Sequence, residues 1–478
     1  MDTWFSAIIA LFLPWLAGSA WTYWLLSRSS RWHPAAIIGH GYLLGLVATT
    51  MIMRGFHWAG LHQSFWGASL CLVFLTFAAL GLLYLKPARA RFRTEELALP
   101  VWQKAVIALL LGLIALRYAT IFQELILRPL FPWDAWMNWA PKAIVWFHYS
   151  DLMPFRSQAE WLAAPADALV HLEGAKNAWK YPVAVPLVQL WGMLAVGTSQ
   201  STLPYLPWGI IAICLVAIMY GHLRLRGMPP LAACLAAYII ANLPFINVHS
   251  ALSGYADLWV AVYFSAAVLL LHEWQSSRKH GVMLLSCMLA IMCAMLKIPG
   301  LLMTGIWLLA LVTCQIDFSR RWVLIAVAVS AAIVSMSLTI GVELPNLFTL
   351  SWEEIETPYI GTYALKFNDV FFPVFDTTLI MINWNFLFYA VPLLLMLVVP
   401  SVRKKIFSTG ISPPTIALLL TLTFLSIVYF FTERYKFAVD YTQINRALLY
   451  AVPLTIYCFF NLIYLASGSR ENPARSVT

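Results

Sequence analysis

Long apolar blocks alternate with short polar connections along the whole chain. The blocks run to roughly 17–23 residues, the length that carries an α-helix across a hydrocarbon core about 30 Å thick. Blocks at 4–26, 35–54, 65–85 and 104–127 come first, followed by a long non-spanning segment, 128–182. The apolar run 183–198 is short and contains Pro186, and counting it as a span would put the next basic loop outside. It therefore reads as a juxtamembrane or re-entrant helix. Spans near 204–223, 230–248 and 256–273 come next, then two short helices, 281–296 and 300–315, that meet at Lys297-Ile-Pro-Gly300. Spans near 322–341, 377–399, 413–431 and 447–466 complete the chain. The pattern predicts an all-α, polytopic transmembrane protein with about thirteen spans.

Composition agrees. Of 478 residues, 62% are apolar and 11% charged, where a soluble domain carries about 25% charged residues. The net charge of +9 is no nucleic-acid signal, because the basic residues sit in short connections and no nucleic-acid module is visible. Arg28, Arg31, Lys86, Arg89, Arg91, Arg93, Lys104, Arg224, Arg226, Arg278, Lys279, Arg320, Arg321, Arg403, Lys404 and Lys405 fall in alternate connections. The positive-inside rule then places the N-terminus outside, the C-terminus in the cytoplasm and segment 128–182 on the extracytoplasmic face. Met1-Asp-Thr-Trp lacks a basic n-region, so the first block reads as a span and not as a cleaved signal. All seven cysteines lie in apolar blocks without a CxxC, and no nucleotide-binding glycine fingerprint occurs.

Charges placed against this pattern mark the candidate chemistry. Asp134 lies between Trp133 and Trp136, just beyond the fourth block. A carboxylate at a bilayer rim is costly unless it is used. On a helix over 133–147, Asn138 and Lys142 share its flank. An N-cap after Pro132 is the plain structural alternative. Lys180, Lys297 and Arg446 sit at outer loop–helix junctions. Each alone reads as a snorkelling anchor, whereas three together suggest a phosphate-bearing ligand. Asp257 begins a span, with His249 nearby, and serves either as an N-cap or as a partner for substrate, metal or cation. No His/Asp cluster has metal-ligand spacing. Arg117 and Glu124 read as an internal ion pair within one span. Outer loops 342–376, with Glu343, Glu353, Glu354, Glu356, Lys366 and Asp369, and 432–446 carry the remaining charge.

These motifs, taken in order, resemble the GT-C superfamily of integral-membrane glycosyltransferases, specifically bacterial relatives of protein O-mannosyltransferases and the lipid A aminoarabinose transferase. The resemblance rests on Trp133-Asp-Ala-Trp136 with Lys142-Ala143, Lys180-Tyr-Pro-Val-Ala-Val-Pro186, Gly254-Tyr-Ala-Asp257, Lys297-Ile-Pro-Gly300 and Asp440-Tyr-Thr-Gln-Ile-Asn-Arg446, and covers about residues 104–466. The chain then divides into three parts: additional N-terminal helices over 1–103, which depart from the family's usual plan, a catalytic transmembrane module over 104–341 that includes outer loop 128–182, and C-terminal helices over 342–478. The resemblance implies inverting transfer of a sugar from a polyprenyl-phosphate donor to a glycan, lipid or protein acceptor, outside a bacterial inner membrane. Asp134 would be the general base, and Lys180, Lys297 and Arg446 the donor-phosphate ligands. Trp136, Asn138, Lys142, Tyr181, Asp257 and Asp440 would contact substrate. The family's frequent acidic pair is absent, since Ala135 follows Asp134, and no metal is indicated. A transporter or flippase for a lipid-linked or anionic solute is the main rival. It predicts polar residues running through the spans, of which Arg117, His40 and Asn385 are among the few. A non-catalytic scaffold is the second rival.

Overall fold

The computed structural model describes residues 3–27, 31–85, 91–92, 99–175, 178–315, 342–344, 348–350, 354–357, 361–393, 395–396 and 411–467. The expected span 322–341, Arg28, Lys86, Arg89, Arg93, Arg320, Arg321, Glu353, the basic cluster 403–405 and the tail 468–478 lie outside these residues.

The apolar blocks become helices. In order they are α1 (Thr3–Leu26), α2 (Pro34–Trp58), α3 (Phe65–Leu85), α4 (Val101–Leu127), α5 (Ala140–Tyr149), α6 (Gln158–Ala163), α7 (Ala184–Val196), α8 (Pro207–Leu225), α9 (Pro230–Asn242), α10 (Pro244–Ala251), α11 (Asp257–Ser277), α12 (His280–Leu296) and α13 (Ile298–Thr313). Helices Pro413–Phe431 and Val452–Ala466 follow. Among the described residues, seven helices are long and apolar enough to cross a membrane, or eight if the bent pair α9–α10 counts as one span. The chain is thus helical and multi-pass. Extended segments are confined to connections: Arg31–Trp32 pairs in parallel with Arg91–Phe92. Val342–Leu344, Phe348–Leu350, Glu354–Thr357 and Gly361–Ala364 form an antiparallel meander with Ile355 opposite Tyr363.

Helix α11 is the axle of the bundle. Every residue from Asp257 to Glu273 is buried, whereas α4 buries only Leu110, Tyr118, Ile121 and Leu125 and turns the rest of its surface outward. Small residues allow close approach around this centre, the usual means of packing apolar helices. A Cβ at Gly45 of α2 would fall 1.8 Å from the Pro14 carbonyl oxygen of α1. Pro14 itself has no N–H to give to Ala10, four residues earlier. The Ala10 carbonyl instead accepts the Trp191 indole N–H of α7 at 2.8 Å.

The α9–α10 break has a similar logic. Proline disfavours a helical conformation in the residue before it, and Leu243 is extended (φ −66°, ψ 122°) ahead of Pro244, bending the pair by 59°. Polar groups bared at such a break need partners inside a bilayer. Arg117 Nε donates to Asn242 Oδ1 at 3.4 Å, and Asn385 Nδ2 to the Asn242 carbonyl at 3.4 Å. This corrects the expected Arg117–Glu124 pair, since Glu124 pairs with Arg128 instead. His40 Nε2 also has a local partner, His222 at 2.9 Å, while its buried Nδ1 has none among the described residues. The block expected as one span over 377–399 is interrupted. A π-turn over Asp376–Ile380 and a 3₁₀ turn over Ile382–Trp384 lead to Asn385 at φ +49° before helix resumes near 387.

Contacts sort the connections to two ends. At one end, His57 meets Asp151 (2.9 Å), Gln63 N–H donates to Ser150 (2.7 Å), and Thr202 Oγ1 donates to Ile126 (2.8 Å). Both flanks of α7 lie here, because Tyr181 and Thr202 do, so α7 enters and returns on one side. At the other end, Arg226 reaches the His272 carbonyl (2.9 Å), Arg278 reaches Gln315 (2.9 Å), and Trp32 packs edge-on to His222.

Candidate active site

Four separate segments deliver polar groups to the first of these ends. Asp134 precedes a π-turn over Ala135–Trp139 that leads into α5. Asp257 is the first residue of α11. Lys297 is the extended residue (φ −161°, ψ 155°) between α12 and α13. Arg446 lies on the short helix Ile444–Leu448, and Tyr450 lies two residues beyond its end.

Two glycines set the spacing. Gly254 has φ +93°, a conformation that L side chains rarely adopt. A Cβ on it would also fall 2.3 Å from Ala135 Cβ, so only glycine lets the loop before Asp257 close onto the Asp134 segment. A Cβ at Gly300 would fall 2.0 Å from the Cys293 carbonyl. Its absence lets α13 fold tightly back on α12 and places Lys297 at the apex beside α11.

The result is a buried cluster of two carboxylates and two cations. Asp257 Oδ1 accepts from Lys297 Nζ (2.9 Å) and Tyr450 Oη (2.7 Å). Its Oδ2 accepts from Lys297 Nζ (3.1 Å), Arg446 Nε (2.9 Å) and Arg446 Nη2 (2.6 Å). Ionised partners make these strong, short bonds. Asp134 is held differently. Its Oδ2 takes a close hydrogen bond from Arg446 Nη2 and lies 3.8 Å from Lys297 Nζ, while its Oδ1 makes no hydrogen bond or ion pair among the described residues. The Arg446 guanidinium lies 4.6 Å from the Tyr255 ring centroid, which pins its plane. His249 packs 5.3 Å from the same ring, and its buried Nδ1 has no hydrogen-bond partner among the described residues. The formal charges, two positive and two negative, cancel. Burying them separately would cost several kcal/mol per ion, roughly, so each one holds the others in place.

Of the expected site residues, Asp134, Asp257, Lys297 and Arg446 thus come together. Asn138 is buried one turn beyond Asp134, and its Oδ1 is unpartnered among the described residues. Tyr181 is half-buried against Trp139 (5.0 Å), and burial pushes its hydroxyl above the ordinary tyrosine range. Trp136 is exposed, its indole N–H donating to Leu130 at 2.6 Å. Lys180 is exposed over the Trp179 ring (5.4 Å) and makes no ion pair with the cluster. Asp440 is exposed and caps its own turn through Thr442 (3.0 and 2.6 Å).

Lys142 turns away from the cluster. It pairs with Glu173 at 2.7 Å and donates to the Ala178 carbonyl at 3.0 Å, with both side chains almost fully buried. Burial lowers the Lys142 ammonium and raises the Glu173 carboxyl, each against the pull of the other. Tyr450 and Glu173 go unnoticed in the sequence. The one available signal for Tyr450 is its place four residues after Arg446, on the same helical face.

The fold and the cluster define a multi-pass helical membrane protein with a buried, ion-paired cluster at one end. No protein-family model, curated protein or solved structure matches the chain. Among the described residues no group of three or more His, Cys, Asp or Glu is placed to hold a metal ion.

Proposed function

We propose that the protein is a GT-C-like glycosyltransferase of a bacterial inner membrane, with about thirteen spans, N-terminus out and C-terminus in. It transfers a sugar from a polyprenyl-phosphate donor to an extracytoplasmic acceptor. The observation that carries this reading is the meeting of Asp134, Asp257, Lys297 and Arg446 at one end of an apolar bundle. Two cations within reach of one open-sided carboxylate suit a reaction that needs a base beside a leaving phosphate.

The chemistry follows from those positions. The acceptor hydroxyl oxygen attacks the anomeric carbon as its proton passes to Asp134 Oδ1. The bond from that carbon to the phosphate oxygen breaks, and its electron pair stays on the phosphate. Attack from the face opposite the leaving group inverts the centre. General-base help of this kind is worth about 10²–10⁴-fold in rate. Lys297 and Arg446 are already oriented and desolvated where the phosphate charge grows, the condition under which fixed charges lower a barrier most. Asn138 supports an acceptor hydroxyl through its unpartnered Oδ1, and Tyr181 offers a ring to a sugar face. The rival transport reading loses ground because Arg117, Asn385 and His40 each bond to a local partner.

The test is sugar transfer by purified protein from a panel of radiolabelled polyprenyl-phosphate sugars, comparing wild type with Asp134→Asn. Transfer reduced by about 10²-fold or more in the variant is expected. Full activity in Asp134→Asn removes the base assignment. Donor translocation in vesicles without any glycosidic product replaces transfer with transport.

A further inference from the structure

The two carboxylates of the cluster are bound in different ways. Asp257 uses both oxygens and accepts five hydrogen bonds from Lys297, Arg446 and Tyr450. A carboxylate has roughly four lone-pair sites, so Asp257 is saturated. Asp134 uses one oxygen and leaves the other open. Exposure follows the same order: the side chains of Arg446, Asp134 and Asp257 are 19%, 11% and 2% exposed. An anion arriving from the open side therefore meets Arg446 and Asp134 first, with Asp257 behind them.

From this asymmetry we infer that Asp257 and Tyr450 are positioning residues that hold Lys297 and Arg446 as an anion receptor. Asp134 is that receptor's resident anion, and the donor phosphate displaces it from Arg446. The inference rests on the proposed glycosyl transfer and deepens it.

Charge placement supports the exchange. The resting cluster is neutral, so an arriving phosphate adds one negative charge, and displacing Asp134, the more exposed of the two carboxylates, moves that charge toward the open side instead of leaving it buried among the ion pairs. Displacing Asp134 gives the phosphate two cations and turns the carboxylate toward the acceptor. Before transfer, Asp134 and the phosphodiester each carry one negative charge. After transfer, Asp134 holds the acceptor's proton and is neutral, and the released phosphomonoester carries two. The total is unchanged, and the charge has moved from one side of Arg446 to the other. Arg446 is the group that can follow it, because its Nη2 already touches both Asp134 and Asp257. The base is consequently withheld until a donor is bound.

The experiment is binding of a short-chain polyprenyl monophosphate to the full-length protein in detergent, by calorimetry, with size-exclusion chromatography as the folding control. Removing a competing anion should tighten binding, which loss of structure does not do. Asp134→Asn is expected to bind at least ten-fold more tightly than wild type. Asp257→Asn should bind at least ten-fold more weakly, and Tyr450→Phe several-fold more weakly. Equal or weaker binding by Asp134→Asn, with wild type still binding, overturns the exchange and leaves a phosphate site in place. Tighter binding by both Asp variants makes the carboxylates equivalent and overturns the division of roles. If Asp257→Asn is aggregated, Tyr450→Phe decides, since it keeps every charge, and unchanged affinity there overturns the positioning role. Absence of binding by wild type and Asp134→Asn alike removes the polyprenyl-phosphate reading, and the exchange with it.

Discussion

At the scale of single residues, a buried charge is informative only through its partners. Lys142 and Lys297 both look like ligand-binding lysines at the rim of an apolar block, yet their surroundings separate them. Lys297 pairs with two carboxylates, Asp257 and the more exposed Asp134. Lys142 is sealed against Glu173 by the outer segment. The Glu173 carboxyl is raised and the Lys142 ammonium lowered, both chiefly by burial. In each group the folded state disfavours the charged form, which marks the pair as one whose desolvation outweighs its attraction. Breaking such a pair costs about 3–5 kcal/mol, whereas replacing both members by apolar residues is neutral or gains about 1–4 kcal/mol. Glu173→Gln alone is therefore expected to lower thermal stability clearly. The double variant Lys142→Met/Glu173→Leu should return it to wild type or above, despite the lost bond to Ala178. A double variant as unstable as the single one would show that the pair itself holds the segment.

At the scale of elements, two glycines do what no charged residue can. Gly254 combines φ +93° with a neighbour 2.3 Å from where its Cβ would sit, so Gly254→Ala suffers both backbone strain and a clash with Ala135. Gly60 has φ +68° and open space around it, so Gly60→Ala suffers the strain alone. The strain costs about 1–2 kcal/mol, and an overpacked contact adds about 1–3 kcal/mol. Thermal unfolding should thus show a larger loss for Gly254→Ala. Polyprenyl-monophosphate binding should fall at least ten-fold in Gly254→Ala and remain at the wild-type level in Gly60→Ala. Equal binding in the two variants would mean that the approach of the Asp257 loop to Asp134 is not what builds the site. The sequence announces much of this architecture. Helix positions follow from block length, and the α12–α13 hairpin follows from Lys297-Ile-Pro-Gly300. Asp134, Asp257, Lys297 and Arg446 stand out because a charge beside an apolar block is costly. Tyr450 does not, since a tyrosine at a membrane boundary is ordinary. Glu173 does not either, because its partner lies on another element with no periodicity to link them. Arg117 misleads for a related reason: its bond is to Asn242, at a helix break that only the folded chain creates and where Asn385 bonds as well.

At the scale of the whole molecule, the segregation of connections to two ends is what gives the cluster a side. The His57–Asp151 and Lys297–Asp257 contacts lie at the end where segment 128–182 gathers, and the Arg226–Glu273 and Arg278–Gln315 contacts lie at the opposite end. Basic residues prefer cytoplasmic connections, and Arg224, Arg226, Arg278 and Lys279 all belong to that second end. On the proposed topology this turns the cluster away from the cytoplasm, the side on which the proposed transfer from a polyprenyl-linked donor would take place. Single cysteines in a cysteine-free background test the orientation directly. Glu160 on exposed α6 belongs to the first end and Gln315, just after α13, to the second. With a membrane-impermeant thiol reagent, Glu160→Cys is expected to label in intact cells and Gln315→Cys only after the membrane is opened. The reverse pattern would place the cluster in the cytoplasm, where soluble sugar nucleotides become the natural donors and the polyprenyl-phosphate reading fails. Labelling of both from the same side would break the two-ended arrangement itself, and with it the span count on which the orientation depends.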